Sequence, residues 1–488
     1  MSKSSVRVRF APSPTGLMHI GNVRTALLNY LFARQKNGTF VLRIEDTDPE
    51  RNFDPGAKHI LADLAWLDLN YDEGPEVGGP YAPYFQSERM DVYKKVLDQL
   101  IEKGAVYRCF CTTEELEKKR KRQISLRMAP RYDRTCEKLS QQEEQKKVDA
   151  GTPFIWRMKL DHDKKVMIKD VSGKEKTFEL KNFSDFPLTR QNGTYTFMFA
   201  NFVDDMTMEI SHVLRGEDHA TNTAGQAALY QAMDAELPIF WHLPILCDIN
   251  GKKLSKRDFG FSLNDLKNGG YLPEAICNYL AIIGGSFKDE IMSLEQLTST
   301  LDFDHANTRG QIKFDAAKLN WINRKWIAQY DTEKLAKLCL PFLLADVPEA
   351  EHLDGDRLVK LVGMVQTDLV VLKGISSALH FYFSIPKISQ PDLDNIAKEP
   401  VLEKIGALIS EHIEKITQPE VSLNNLKAAA SKENVPTKAL YSFVRLALMG
   451  ATKGPAIGDL IDMLGIEESK RRLQETVKLI GKPLEVEG

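Results

Sequence analysis

The sequence predicts a split, parallel α/β unit followed by an all-helical region, and three observations carry that prediction. The alternating run "VRVRF" (6–10) leads into a helical pattern and then the strand-like "FVLRIED" (40–46), the order of a strand–helix–strand unit. A second stretch of this kind spans about 194–250, where "MEISHVLRGEDH" precedes the helical "NTAGQAALYQAM" and the strand-like "HLPIL". Beyond about residue 325 apolar residues recur at helical spacing, as in Leu358, Leu361, Val362, Val365, Leu369 and Leu372, and again in Leu402, Ile405, Leu408, Ile409, Ile413 and Ile416. The half-sheet begun at residue 6 therefore resumes near residue 194, with an insertion between.

Each element has a local reason. Val6, Val8 and Phe10 alternate as strand residues do, and the next helix starts near Gly21 and runs to about Asn37, with Gly38 placed to end it. A helix is expected near residues 56–67, and "EGPEVGGPYAPY" (73–84) marks a loop or boundary. Residues 87–103 form an amphipathic helix whose face is Met90, Tyr93, Val96, Leu97, Leu100 and Ile101, with Gly104 at the C-cap. "FIWRMKL" (154–160) and "TYTFMFANFV" (194–203) read as strands between charged loops.

At 488 residues the chain is long enough for two to four domains, and 43% apolar with 27% charged residues is an ordinary globular composition. No apolar run approaches the ~18–20 residues of a membrane span, and the start carries no apolar signal core, so a cytoplasmic protein is expected. A net charge of −3 confines any nucleic-acid surface to a local patch. Six cysteines in so long a chain are not a disulfide framework. Cys109, Cys111 and Cys136 lie close together, while Cys247, Cys277 and Cys339 sit singly in apolar surroundings, as core thiols do.

Two stretches point to phosphate. In "APSPTGLMHIGN" (11–22) a rigid turn opens a helix, where backbone N–H groups and the helix dipole favour an anion. Gly16 and Gly21 let a bulky ligand approach, and His19 can donate to a phosphate oxygen; a Pro-rich surface turn is the alternative. The loop "GKKLSKRDFG" (251–260) gathers Lys252, Lys253, Lys256 and Arg257 around a serine, suited to charge that grows as pyrophosphate leaves. Together they suggest nucleotidyl transfer.

These motifs resemble the class I aminoacyl-tRNA synthetases, and within them the bacterial-type glutamyl-tRNA synthetases. "RFAPSPTGLMHIGNVRTAL" is similar to the His-Ile-Gly-His motif, with Asn22 in its last position, and "KLSKR" to Lys-Met-Ser-Lys-Ser. "LRIEDTDPER", "FVDD", "HVLRGEDH" and "VRLALMGATKGPAIGDLIDMLG" also match, so the resemblance runs from residue 6 to about 480. It implies a Rossmann-like class I catalytic domain with an inserted acceptor-binding domain, followed by an all-helical anticodon-binding region. The segments are 1–86 and 194–250 for the catalytic halves, 87–193 for the insertion, 251–325 for the KLSKR loop and stem-contact region, and 326–488 for the helical region. It further implies ATP-dependent attachment of L-glutamate to tRNA-Glu through a glutamyl-adenylate, by a monomer using Mg²⁺. Charging of tRNA-Gln stays open, and glutaminyl-tRNA synthetase or a tRNA-modifying glutamyl enzyme are the alternatives.

Residue by residue, the resemblance assigns catalysis to His19, Lys253 and Lys256, and ATP binding to His19, Gly21, Asp218, Lys253, Ser255, Lys256 and Arg257. Glutamate falls to Arg9, Ala11, Ser13, Glu45, Phe197, Asn201 and Arg215. The chemistry agrees, since Arg9 and Arg215 can grip carboxylates bidentately and Glu45 can take the ammonium. The family has Tyr where this chain has Phe197; Tyr195, expected on the same strand face, is the neighbouring hydroxyl. Cys109, Cys111 and Cys136 resemble the zinc site of some members, where Lys138 replaces the usual His and Tyr132 stands as fourth ligand. Free thiols in a collapsed knuckle are the alternative. The run 117–134 has eight basic residues and two acids, a solvated helix face or a phosphate contact for a tRNA acceptor end.

Overall fold

A computed structural model of the chain describes residues 5–48, 52–252, 254, 262–285, 287–303, 311–415 and 419–480. It separates into two compact units, Met1–Leu266 with Ile276–Ala316, and Lys267–Ala275 with Ala317–Gly488.

In the first unit β1 (Arg7–Phe10) pairs in parallel with β2 (Thr39–Leu42), and α1 (Ile20–Gln35) crosses between them. After α2 (Lys58–Trp66) and α3 (Met90–Glu102) comes the insertion: β3 (Val106–Cys109), α4 (Thr113–Ser125), α5 (Gln141–Asp149), β4 (Ile155–Met158), β5 (Lys165–Lys169) and β6 (Glu175–Glu179). Its strands pair antiparallel, β3 with β4 and β5 with β6. The α/β pattern then resumes with α6 (Phe197–Thr207), β7 (His212–Gly216), α7 (Ala220–Ala232) and β8 (Ile239–Leu243), with β7 and β8 parallel. The two halves meet where the Ser211 N–H donates to the Arg7 carbonyl and the Arg7 N–H to the Ser211 hydroxyl. β9 (Ile245–Cys247) pairs in parallel with β10 (Gln311–Lys313).

β1 is buried on both faces. Its alternating arginines turn inward as well, Arg7 onto Glu73 at 2.7 and 2.9 Å and Arg9 onto Asp205, because a central parallel strand has no solvent face. Tyr93, Val96, Leu97 and Leu100 of α3 pack with Phe199, Phe202 and Val203 of α6 and Leu229 of α7 in one core. Cys247, Cys277 and Cys339 are buried, as expected of core thiols, and burial pushes the Cys339 thiol up to about 12.

Several expectations are corrected. Asn37, not Gly38, takes the left-handed turn after α1, at φ +51°. Gly38 is needed for another reason, since a Cβ there would stand 2.3 Å from the Val6 carbonyl oxygen. The run "TYTFMFANFV" is helical from Phe197 onward, because its apolar residues satisfy a helix face packed on α3 as well as they would a strand. Tyr195 therefore does not share a strand face with Phe197. It packs against Tyr93 and Phe199, with ring centroids 5.4 and 5.5 Å away.

In the second unit the described residues from 317 onward form helices and turns without a strand. Thr332–Asp346, Gly355–Val365, Glu399–His412, Thr437–Met449, Ile457–Leu464 and Ile466–Val477 are its main helices with described side chains. Leu358, Leu361, Val362 and Val365 are buried on one helix, as are Leu402, Ile405, Leu408 and Ile409 on another. Leu369 and Leu372 lie beyond the first of these helices, and Ile416 lies outside the described residues. No helix is long and apolar enough to cross a membrane among the described residues.

Candidate active site

The carboxyl ends of β1 and β7 open on a cleft, where a parallel sheet places its ligands. Arg9, Ala11, His19, Gly21, Glu45, Phe197, Asn201, Arg215 and Asp218 all line it, although more than 200 residues separate the first from the last. Ser13 is exposed on the turn and is not part of this lining. Lys253, Ser255, Lys256 and Arg257 lie outside the described residues, while Leu254 between them borders the cleft.

His19 is the N-cap of α1, with Nδ1 accepting from the Gly21 N–H at 3.0 Å and the Asn22 N–H at 3.3 Å. This corrects the expectation that those N–H groups point at a ligand. The bond also sets the tautomer: a ring that accepts at Nδ1 carries its proton on Nε2, which becomes the donating edge. A side chain on residue 21 would meet the His19 ring at 2.8 Å.

Behind the cleft lies a buried charge network. Arg9 donates from Nε and Nη2 to Asp205 at 3.0 and 3.2 Å, and Arg43 donates to Asp205 at 2.7 Å and to Glu45 at 3.1 Å. Gln226 donates to Asn201 at 2.7 Å, and Asn201 donates to Glu45 at 2.6 Å. Asp204 accepts from Arg89, Gln86 and Tyr93 at 2.7, 2.7 and 3.0 Å. Burial opposes the Asp205 charge, but Arg9 and Arg43 outweigh it and hold the carboxyl below its ordinary range. Burial wins at Glu45 and Asp204, which are both pushed up.

Arg215 breaks this pattern of pairing. It is buried and donates to the Thr223 hydroxyl at 2.8 Å, while its Nε and Nη1 have no partner among the described residues. Burial, then the nearby Arg9, draws it down to about 10, so it remains charged at neutral pH. Among the described residues the cleft and the network behind it thus set five guanidiniums (Arg9, Arg24, Arg43, Arg89 and Arg215) against four carboxylates (Glu45, Asp204, Asp205 and Asp218), one cation in excess. Such an arrangement is built to receive an anion.

Phe197 begins α6 and meets the His219 ring at 5.4 Å. Tyr195, the expected substitute hydroxyl, is not in the lining. Sequence reasoning missed Asp205, Arg43 and Arg24; the available signal was a charged residue inside an otherwise apolar strand or helix run.

The insertion holds a second cluster. The sulfurs of Cys109, Cys111 and Cys136 lie within 4.8 Å of one another. Cys111 Sγ is 3.6 Å from Cys136 Sγ, and the Tyr132 hydroxyl is 3.3 and 3.5 Å from Cys109 and Cys111 Sγ. A tetrahedral zinc with Zn–S near 2.3 Å requires S···S edges of about 3.8 Å, so these four donors fit one ion. Arg157 lies 4.2 Å over the Tyr132 ring and Lys119 Nζ is 4.0 Å from Cys111 Sγ, cations that would offset the ligands' charge. The hydrogen bond between Cys136 and Cys109 pulls the Cys109 thiol down and pushes Cys136 up. The basic helix α4 beside them has no buried residue.

Residues 5–321 match the profile of the catalytic domain of tRNA synthetases class I (E and Q), and 334–477 that of an anticodon binding domain. The chain is 35% identical to the glutamate–tRNA ligase of Moorella thermoacetica over 99% of its own length and 100% of that protein. It is equally 35% identical to the one from Bacillus subtilis, over 96% and 99%. A crystal structure of a glutamate tRNA ligase from Elizabethkingia meningosepticum in complex with its amino acid superposes with a TM-score of 0.87 at 31% identity, covering 98% of this chain and 100% of that one.

Proposed function

The chain belongs to the class I tRNA synthetases (E and Q), and from that premise we infer its reaction: it is a glutamate–tRNA ligase, joining L-glutamate to tRNA-Glu with ATP. The observation that carries the reading is Arg215, a buried guanidinium with two N–H-bearing nitrogens unpartnered among the described residues at the wall of the cleft. Glutamate has two carboxylates and one ammonium, a net charge of −1 that answers the site's excess cation. Arg215 and the remaining amino group of Arg9 take the side-chain carboxylate, and Glu45 takes the ammonium, with Ala11, Phe197 and Asn201 completing the pocket.

ATP enters as its Mg²⁺ complex at His19, Gly21 and Asp218, with Lys253, Ser255, Lys256 and Arg257 over the phosphates. The α-carboxylate attacks the α-phosphorus and pyrophosphate leaves; a ribose hydroxyl of the tRNA then attacks the glutamyl carbonyl and AMP departs. Positioning and charge stabilisation supply most of such a rate, so no general base is required. His19 Nε2–H and the lysines stabilise the departing phosphates.

Zinc at Cys109, Cys111, Tyr132 and Cys136 would fix the end of β3 against α4, a structural role. The basic run 117–134 of the insertion meets the tRNA acceptor end, the 251–325 segment its stem, and the helical region its anticodon. A cytoplasmic monomer belongs to the same reading. Charging assays pairing glutamate or glutamine with purified tRNA-Glu and tRNA-Gln test it. Glutamyl-tRNA-Glu is the expected product; glutamine charged in preference would overturn the reading, and glutamate placed on tRNA-Gln would define a second acceptor.

A further inference from the structure

Arg24 lies one turn into α1, 7% exposed, on the lining of the cleft. Among the described residues its one hydrogen bond is from Nε to the Leu280 carbonyl at 3.3 Å, and no carboxylate reaches it. A buried guanidinium without an acid is costly, and one carbonyl in the last turn of the helix Pro273–Ile282 offsets little of that cost. Its terminal amino groups are absent from the buried unpartnered atoms, so they open onto cavity space. Every other buried arginine near the cleft, Arg215 aside, is tied to a carboxylate.

Arg24 also borders a second cavity with Trp241, Phe287 and Phe303. That cavity has an acid and a base of its own, Asp302 and Lys288, and so calls for no extra cation. Of the two acids that line the cleft, Glu45 is engaged by Asn201 and Arg43, and Asp218 follows β7; the acids behind it are bound to Arg9, Arg43 and Arg89. Leu246 and Leu254 also line the cleft.

We propose that Arg24 is a phosphate-binding residue of the cleft, whose free guanidinium edge takes anionic oxygens of the nucleotide's polyphosphate. This rests on the reading of the cleft as the ATP site. A planar fork fits two phosphate oxygens at once, which an ammonium does not. The alternative role is purely structural, as a cap on the Leu280 carbonyl.

Calorimetric titration of the full-length enzyme with Mg-ATP, pyrophosphate and adenosine separates these. In Arg24→Gln, ATP and pyrophosphate are expected to bind at least tenfold more weakly than in the wild type, with adenosine changed less than twofold. Arg24→Lys keeps the charge but loses the fork and the Nε bond, and is expected to recover part of the phosphate affinity. If Arg24→Gln does not fold, Arg24→Lys carries the test. Equal weakening of adenosine and ATP, or loss of ATP affinity in the lysine variant as complete as in the glutamine one, would overturn the proposal in favour of the cap. Unchanged ATP affinity would overturn it outright. A wild-type enzyme that binds no ATP would instead defeat the underlying reading of the cleft.

Discussion

Arg9 and Asp205 lie 196 positions apart in sequence and meet in a buried two-bond ion pair, Nε to Oδ1 at 3.0 Å and Nη2 to Oδ2 at 3.2 Å. One edge of the guanidinium is thereby used up in positioning the other. Asp205 is a positioning residue: it does not line the cleft, yet it aims Arg9 there and holds Arg43 at 2.7 Å.

We predict that Asp205→Asn, which keeps the shape and removes the charge, lowers folding stability by about 3 kcal/mol, since it leaves buried cations uncompensated. The KM for glutamate should rise several-fold as Arg9 loosens. Chemical denaturation and pyrophosphate-exchange kinetics measure the two effects; a variant as stable as the wild type contradicts the network's role.

Arg215→Gln should weaken glutamate by about 2–5 kcal/mol of binding and erode its selection over glutamine, because the carboxylate loses its charged partner. Competition between the two amino acids measures this. An unchanged KM for glutamate would falsify the assignment of Arg215.

Phe197→Tyr adds a hydroxyl to the first residue of α6, on the cleft wall. One new hydrogen bond contributes about 0.5–1.5 kcal/mol, so the KM for glutamate is expected to fall by about 2–10-fold. No change would mean that the ring, packed on His219, aims away from the amino acid.

Protein purified without chelator should contain about one zinc per chain, and Tyr132→Phe should lose it to a chelator faster than the wild type. Far less than one zinc in the wild type counts against the whole site. Full retention in the variant removes Tyr132 alone.

The structure also sets an acid sensitivity. His212 and His242 are both drawn down to about 4, burial being the main cause, followed by Lys36 for the first and Arg215 for the second. A histidine whose folded pKa lies below its unfolded value near 6.5 binds a proton more readily when unfolded. Its stabilising contribution is therefore complete above about pH 6.5 and is lost as pH falls toward 4. Between pH 6.5 and 5 each should cost roughly 1–2 kcal/mol of stability. Urea midpoints across that range measure it, and His242→Gln should flatten the slope; a midpoint constant from pH 7 to 5 refutes the assignment.

What the sequence determined by itself was local and repetitive. The 2- and 3.6-residue periods of β1, α1, α3 and the C-terminal helices follow from which side chains must leave water, and each can be read within a dozen residues. His19 and the glycines beside it were legible because a stiff turn at a helix mouth needs those residue types. The run 194–203 was misread because a stretch apolar at nearly every position satisfies either period, and only its packing on α3 selects the helix. The pairing of charges was likewise a tertiary decision. Whether an arginine in a strand faces water, an aspartate or a substrate depends on which partner lies within about 3 Å, and for Arg9 that partner is supplied from 196 residues away. Arg215 and Arg24 look like Arg9 in sequence and differ from it in the structure alone, because no carboxylate reaches either of them among the described residues. Local sequence can say that a charge will be buried; only the folded chain decides which buried charge is left for a ligand.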